Sequence, residues 1–333
     1  MKKEMNLKKL LIENGLYTVL ILILVMIIVR EPTFLSIRNF KNILTQSCVR
    51  AIIALGVAGL IVTQGTDLSA GRQVGFAAVI SATLLQDVNA PNKLLKIGEV
   101  ALPAALLVVI VVGLVIGMIN GFVVSYFDIH PFIVTMGMMT AVYGANSLYY
   151  DYVGSAPIAS FSEKYTRFAQ ESFHLGSVSL PYLILYAAVA TFIMWVLWNK
   201  TKFGKDLFAV GGTKEAARVS GVNVLLTFLK VYALSGIYYA VGGFLEAGRI
   251  GSATNNLGNM YEMDAIAACV IGGVSFYGGT GKISGVITGV LALTVINYGL
   301  TYVGVKPYYQ YIIKGFIIVA AVVFDSMKLR RKK

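Results

Sequence analysis

ALPAALLVVIVVGLVIGMINGFVVSYF, the stretch from Ala101 to Phe127, carries no charged side chain. An α-helix rises 1.5 Å per residue, so roughly 20 apolar residues cross a hydrocarbon core about 30 Å thick. The run is long enough to do so, and its apolar residues are continuous rather than alternating, which argues against a barrel strand. Outward from it lie nine further apolar runs, at about 12–30, 43–62, 72–88, 132–150, 181–198, 225–247, 262–277, 283–304 and 308–326. Those at 43–62, 72–88 and 262–277 are short or interrupted by glycine and polar residues. The expected fold is all-α: a single polytopic membrane domain over residues 1–333, with about ten transmembrane helices.

The rest of the composition agrees. Of the 333 residues 57% are hydrophobic and 13% charged, and mean hydropathy is +0.75; soluble domains carry about 25% charged residues. The net charge of +12 sits in clusters between the apolar runs. It forms no basic stripe with interleaved aromatics, so nucleic acid is not an expected partner. With the N-terminus inside, seventeen Lys and Arg fall on one side, among them Lys2, Lys3, Lys202, Lys214, Lys332 and Lys333, and nine on the other. The positive-inside rule then places both termini in the cytoplasm. Arg50 and Lys314 fall within runs, where snorkelling toward the interface is the plain explanation. The first run has the length of a signal peptide, but Arg30-Glu31-Pro32 follows it instead of a small-residue cleavage site, so it reads as a span. Cys48 and Cys269 lie in apolar runs and read as small buried side chains.

Several segments interrupt this pattern. Gly113, Gly117 and Gly121 recur every four residues, as do Gly285 and Gly289, giving flat strips along which helix backbones approach closely. The strips serve either packing within the chain or a functional contact, between copies or at a gate. Gly113, Gly117, Asn120, Gly121 and Pro131 on one side, and Gly285, Gly289, Asn297, Gly299 and Pro307 on the other, fit a worn inverted repeat of spans 2–5 and 7–10. Chance similarity between glycine-rich helices is the other reading. Thr63 to Gly71 places an acid, an amide and hydroxyls in an apolar stretch. Asp67 must face water or protein partners there, as a cap for a helix starting near Leu68 or as part of a pathway. The basic connection 199–224 holds Gly211-Gly212-Thr213-Lys214-Glu215-Ala216-Ala217-Arg218-Val219-Ser220-Gly221. Thr213 can cap a short helix that Gly221 ends; a small-residue helix of this kind suits docking into a groove of a soluble partner, or is a solvated connector.

Enzyme signatures are missing. Gly281-Lys282 is followed by Ile283 where a phosphate loop needs Ser or Thr. His130 and His174 stand without a nucleophile or metal-ligand pattern.

Asp67-Leu68-Ser69, the stretch from Asn120-Gly121 to His130-Pro131-Phe132-Ile133-Val134-Thr135, Gly211 to Ala217, and Met263-Asp264-Ala265-Ile266-Ala267-Ala268-Cys269-Val270-Ile271-Gly272-Gly273 together resemble the ribose-type ABC importer permeases over nearly the whole chain. The usual form near Asp67 is Gly-Gly-Ile-Asp-Leu-Ser-Val-Gly-Ser, from which Gln64, Thr66, Ala70 and Arg72 depart. Those departures, with Ser147 to Asp151 and Gly248 to Asn256, resemble the galactose/methyl-galactoside branch. The resemblance implies a non-catalytic permease in a bacterial inner membrane. It implies a second permease copy, a cytoplasmic ATP-binding subunit that uses the ATP, and a periplasmic sugar-binding protein; no cofactor is expected on this chain. The helix within Gly211–Gly221 then maps to the contact with the ATPase. Gln64, Asp67, Asn120, Asn146 and Asn297 are the polar groups at membrane depth that could line a sugar path; each amide could equally be an interhelical hydrogen-bond partner worth about 1 kcal/mol. A proton-coupled sugar transporter is the alternative class, and Asp67 is the one acid suitably placed for it.

Overall fold

The structure, a computed structural model, describes residues 7–91, 93–175 and 178–330. The expected cytoplasmic charges Lys2, Lys3, Arg331, Lys332 and Lys333 lie outside the described residues. In chain order the elements are α1 (Leu7–Arg30), α2 (Ile37–Val62), α3 (Ala70–Leu84), α4 (Leu102–Tyr126), α5 (Pro131–Tyr152), α6 (Glu163–Gln170), β1 (Ser172–Leu175), β2 (Val178–Pro181), α7 (Leu183–Lys200), α8 (Lys202–Gly212), α9 (Lys214–Val219), α10 (Val224–Ile250), α11 (Tyr261–Ile271), α12 (Ile283–Tyr302) and α13 (Pro307–Arg330). Local chemistry sets many of these limits. The Ser36 hydroxyl accepts the Asn39 N–H at the start of α2, and Asn223 Oδ1 accepts the Leu226 N–H at the start of α10. Pro131 and Pro307 open α5 and α13, where a missing N–H costs nothing. Gly251, at φ +82°, closes α10.

Each of the ten expected apolar runs overlaps one helix, but the ten differ in length and apolar character. Among the described residues six helices, α2, α4, α7, α10, α12 and α13, are long and apolar enough to cross a membrane. Among the described side chains, the apolar part of α1 is Thr18–Arg30. With 15 and 11 residues, α3 and α11 reach only roughly 22 and 16 Å. Although α5 has 22 residues, Thr135, Thr140, Asn146, Ser147 and Asp151 dilute its apolar character. The fold is mostly helical, as expected, with one small antiparallel hairpin, β1–β2.

The centre of the molecule is α10, packed against α4, α3 and α2. Glycine makes the closest of these contacts. A Cβ on Gly113 would lie 2.2 Å from the Gly236 carbonyl oxygen, and one on Gly236 would lie 2.0 Å from the Gly113 oxygen. Gly117 meets Tyr232 and Gly121 meets Leu229, so α4 and α10 run antiparallel. Gly285 packs on Gly272, just past the end of α11, and Gly289 on Ala268 within it, in the same way. Both glycine strips therefore serve packing within the chain.

The bundle has two ends. At the platform end, α6 lies over α10: Gln170 Nε2 donates to the Gly248 oxygen at 2.8 Å and Tyr165 donates to the Phe244 oxygen. The segment after α3 joins this layer through Asp87 N–H to Ser160 O, 2.8 Å. On its surface a hydrogen bond to Glu99 raises the pKa of Lys164. At the opposite, basic end lie α8, α9 and the turn between α11 and α12.

Candidate functional site

At the basic end, α9 is held as a compact knob. Thr213 occupies the position before the helix in extended backbone (φ −156°), but its hydroxyl makes no capping bond, contrary to expectation. The far end behaves as expected: Gly221 adopts φ +81°, its N–H bonds the Arg218 oxygen, and Val222 N–H bonds the Ala217 oxygen, both at 3.0 Å. The two alanines part company. Ala217 is buried in the chain's own core, while Ala216, Glu215, Arg218 and Ser220 face outward. Beside them Val219 is 89% exposed. Lys214 Nζ lies 5.0 Å from the Phe228 ring centroid and 3.9 Å from Asp128. Gly211 is buried at the end of α8 and Gly212 is exposed beside it.

Between α2 and α3 the chain breaks at Thr63–Ser69. Here the Ser69 hydroxyl is a hub: it donates to Asp67 Oδ1 at 2.5 Å and accepts from Gln73 Nε2 at 2.9 Å and Asn120 Nδ2 at 3.2 Å. Ser69 N–H also donates to Asp67 Oδ1, so Asp67 closes a turn ahead of the helix; α3 starts at Ala70, near Leu68 as expected, with Ser69 rather than Asp67 in the cap position. Thr135 of α5 accepts the Leu68 N–H at 3.2 Å. Asp67, Gln73 and Asn120 are each at most 3% exposed, and each keeps one oxygen without a partner among the described residues. The hydroxyls of Tyr232 and Tyr239, also buried, have no partner among the described residues. Buried polar groups are normally paired, so this cluster has the hydrogen-bonding capacity to take water or a hydroxylated solute.

A second break, Gly251–Met260, separates α10 from α11 and has a different chemistry. Arg72 Nη2 donates to Asn259 Oδ1 at 2.8 Å while its guanidinium lies 4.4 Å from the Tyr143 ring centroid. Asp264 takes Arg50 Nη1 at 2.9 Å and Lys314 Nζ at 2.9 Å. Glu246 takes Arg249 through both oxygens and also the Tyr261 hydroxyl. Arg50 and Lys314 are thus paired across helices rather than snorkelling.

Of the five polar residues expected at membrane depth, only Asp67 and Asn120 meet, through Ser69. Gln64 is exposed and bonds Gly211 at the basic end. Asn146 donates to the Asn255 oxygen at 3.2 Å in the second break. Asn297 is buried on α12, with neither amide atom partnered among the described residues. Sequence reasoning missed Ser69 as the hub with Gln73 on it, and the buried hydroxyls of Tyr232 and Tyr239. The tyrosines sit on α10, seven residues apart and therefore on one face, a signal that could have found them. Among the described residues no group of three or more His, Cys, Asp or Glu could hold a metal ion.

Comparison with known proteins adds the family. The model described as branched-chain amino acid transport system / permease component matches residues 39–322. The chain is 60% identical over 325 residues to the galactose/methyl galactoside import permease protein MglC of Haemophilus influenzae, covering 97% of each chain. It is 61% identical over 324 residues to MglC of Escherichia coli K12, covering 96% of each. The ribose import permease protein RbsC of E. coli K12 is 34% identical over 323 residues, again 96% of each. No solved structure matches. With matches of this length and identity, the chain belongs to the branched-chain amino acid transport system / permease component family, in its branch of sugar import permeases.

Proposed function

We propose that this chain is the membrane permease of a binding-protein-dependent ABC importer that moves galactose or methyl galactoside across the bacterial inner membrane. The observation that carries this reading is end-to-end identity of about three residues in five with two galactose/methyl galactoside import permeases. ATP hydrolysis takes place on a separate cytoplasmic subunit, a periplasmic protein delivers the sugar, and two permease copies enclose the path. The basic end faces the cytoplasm, as do both termini by the charge asymmetry, and the platform end faces the periplasm.

The ten apolar helices then make ten crossings. Six are long and apolar enough to span on their own composition, α1 and α5 complete the set of long helices, and α3 and α11 are half-length helices completed by the breaks before them. Broken helices are tolerated at membrane depth where they are buried in protein or line a cavity. An inverted repeat of α2–α5 and α10–α13 is supported by packing pairs that exchange between the halves. α2 packs on α11 as α10 packs on α3, and α3 with α4 and α5 corresponds to α11 with α12 and α13. Access alternates as the halves rock against each other, and the permease performs no covalent step.

In this reading α9 docks in a groove of the ATPase, with Val219 and Ala216 as the contact. Because Ala217 points inward, a bulky residue there would disturb the permease's own core; the outward residues give the cleaner test. Uptake of labelled galactose into proteoliposomes holding the permease, its ATPase and the sugar-loaded binding protein is the measurement. Val219→Asp should insert normally and lower uptake by at least about tenfold, the equivalent of about 1.4 kcal/mol of lost docking. It should also lower co-purification of the ATPase. Wild-type uptake by this variant, or transport of galactose without ATP, would overturn the reading.

A further inference from the structure

The turn after α2 places a side chain where the backbone favours glycine. Gln64 has φ +60°, the left-handed region that side-chain-bearing residues rarely adopt. The usual form of this motif carries glycine at that position, which relieves the strain. Here the strained residue spends its side chain on one bond: Gln64 Nε2 donates to the Gly211 carbonyl oxygen at 2.9 Å.

Three stretches of backbone meet at that bond. A Cβ on Gly211 would lie 1.9 Å from the Val62 oxygen, and one on Gly278 would lie 2.3 Å from the Gly211 oxygen and 2.4 Å from Gln64 Cγ. Gly279 N–H donates to the Val62 oxygen at 2.9 Å. The end of α2, the end of α8 and the turn after α11 are therefore in contact with almost no side chain between them. On one side, three residues past Gly211, the chain enters α9. On the other, Gly65 N–H bonds the Leu60 oxygen at 2.8 Å and leads directly to Asp67 and the Ser69 hub.

We infer that Gln64 is a positioning residue that transmits movement of α9 to the first break, and is not a group that touches the sugar. A displacement of α8–α9 must carry residues 62–65 with it or break the Gln64–Gly211 bond, because the surrounding backbone contacts leave no slack to absorb it. The inference rests on the reading of α9 as the ATPase contact.

The test uses the complete transporter in proteoliposomes with saturating sugar-loaded binding protein, and reads sugar moved per ATP hydrolysed. Gln64→Gly relaxes the backbone and removes the bond; Gln64→Glu keeps the length and removes the donor; Gln64→Lys restores a donor of similar reach. Gly and Glu variants should assemble and hydrolyse ATP normally, while sugar per ATP falls at least about fivefold, the low end of ordinary coupling between sites. The Lys variant should recover part of the ratio. A ratio unchanged in Gln64→Gly and Gln64→Glu overturns the inference, and so does a loss confined to abundance and hydrolysis, which marks a merely structural role. Val219→Asp separates the two readings. If it transports normally, the docking assignment fails; if it is inactive while Gln64→Gly keeps its ratio, only the transmission role fails.

Discussion

The two breaks in the helical bundle occupy corresponding places, each between a long central helix and a short one, yet they solve the problem of buried polarity in opposite ways. The first, Thr63–Ser69, gathers one carboxylate, two amides and hydroxyls around Ser69, and Asp67 takes part in no ion pair among the described residues. The second, Gly251–Met260, is flanked by charge: Arg50–Asp264–Lys314, Arg249–Glu246 and Arg72 with Asn259. Ion pairs are directional and costly to separate once desolvated. Hydrogen bonds that include no oppositely charged pair exchange partners at lower cost, especially where acceptors are already spare. The first break is therefore the one built to rearrange, and the second the one built to hold.

That contrast can be broken by substitution. The largest effect is expected at Asp264→Ala, which strands Arg50 and Lys314 beside each other. With both cations about one-fifth exposed, the loss should sit near the low end for broken buried pairs, about 3 kcal/mol. Thermal unfolding of the detergent-solubilised permease should show a strongly lowered midpoint; an unchanged midpoint would mean that the second break is not held by its charges. Ser69→Ala comes next. It leaves Gln73 Nε2 and Asn120 Nδ2 without their acceptor, a penalty of about 2 kcal/mol. The midpoint should fall less than for Asp264→Ala, while uptake falls more than stability accounts for. Equal losses at both sites would erase the distinction between the breaks. The smallest shift belongs to Asn259→Ala, about 1 kcal/mol, because Arg72 keeps its stack on Tyr143. A loss as large as that at Asp264 would show Arg72 to be an anchor in its own right.

Much of the helical scaffold was legible in the sequence because apolar period and length are local properties. The run at 225–247 is α10, Val224–Ile250, and that at 283–304 is α12, Ile283–Tyr302. The runs at 72–88 and 262–277 were already marked by glycine and polar interruptions, and they are the half-length helices α3 and α11. What stayed hidden was pairing. Nothing near Arg50 announces Asp264, 214 positions away, so a charge within a span reads as snorkelling until its partner is in view. The same limit divides Ala216 from Ala217: composition makes them equivalent, and only the direction of a six-residue helix turns one outward and the other in. Gln64 was grouped with membrane-depth amides on residue type, whereas its position past the end of α2 gives it a partner at the basic end.

The Gly113–Gly236 contact constrains how the protein can vary over generations. Each residue presents a carbonyl oxygen where the other would carry a Cβ, so no rotamer change can make room for a new side chain. Sliding offers no relief, since the next equivalent seat lies a full helical turn away, about 5.4 Å. Substitution at either glycine is thus blocked by the other's main chain, which no compensating side-chain replacement can remove. On the outward face of the same helix, Leu107, Val111 and Val115 are exposed and can exchange for other apolar residues freely. The α4–α10 pair is consequently a fixed keel, and sequence drift is steered to the faces that meet lipid.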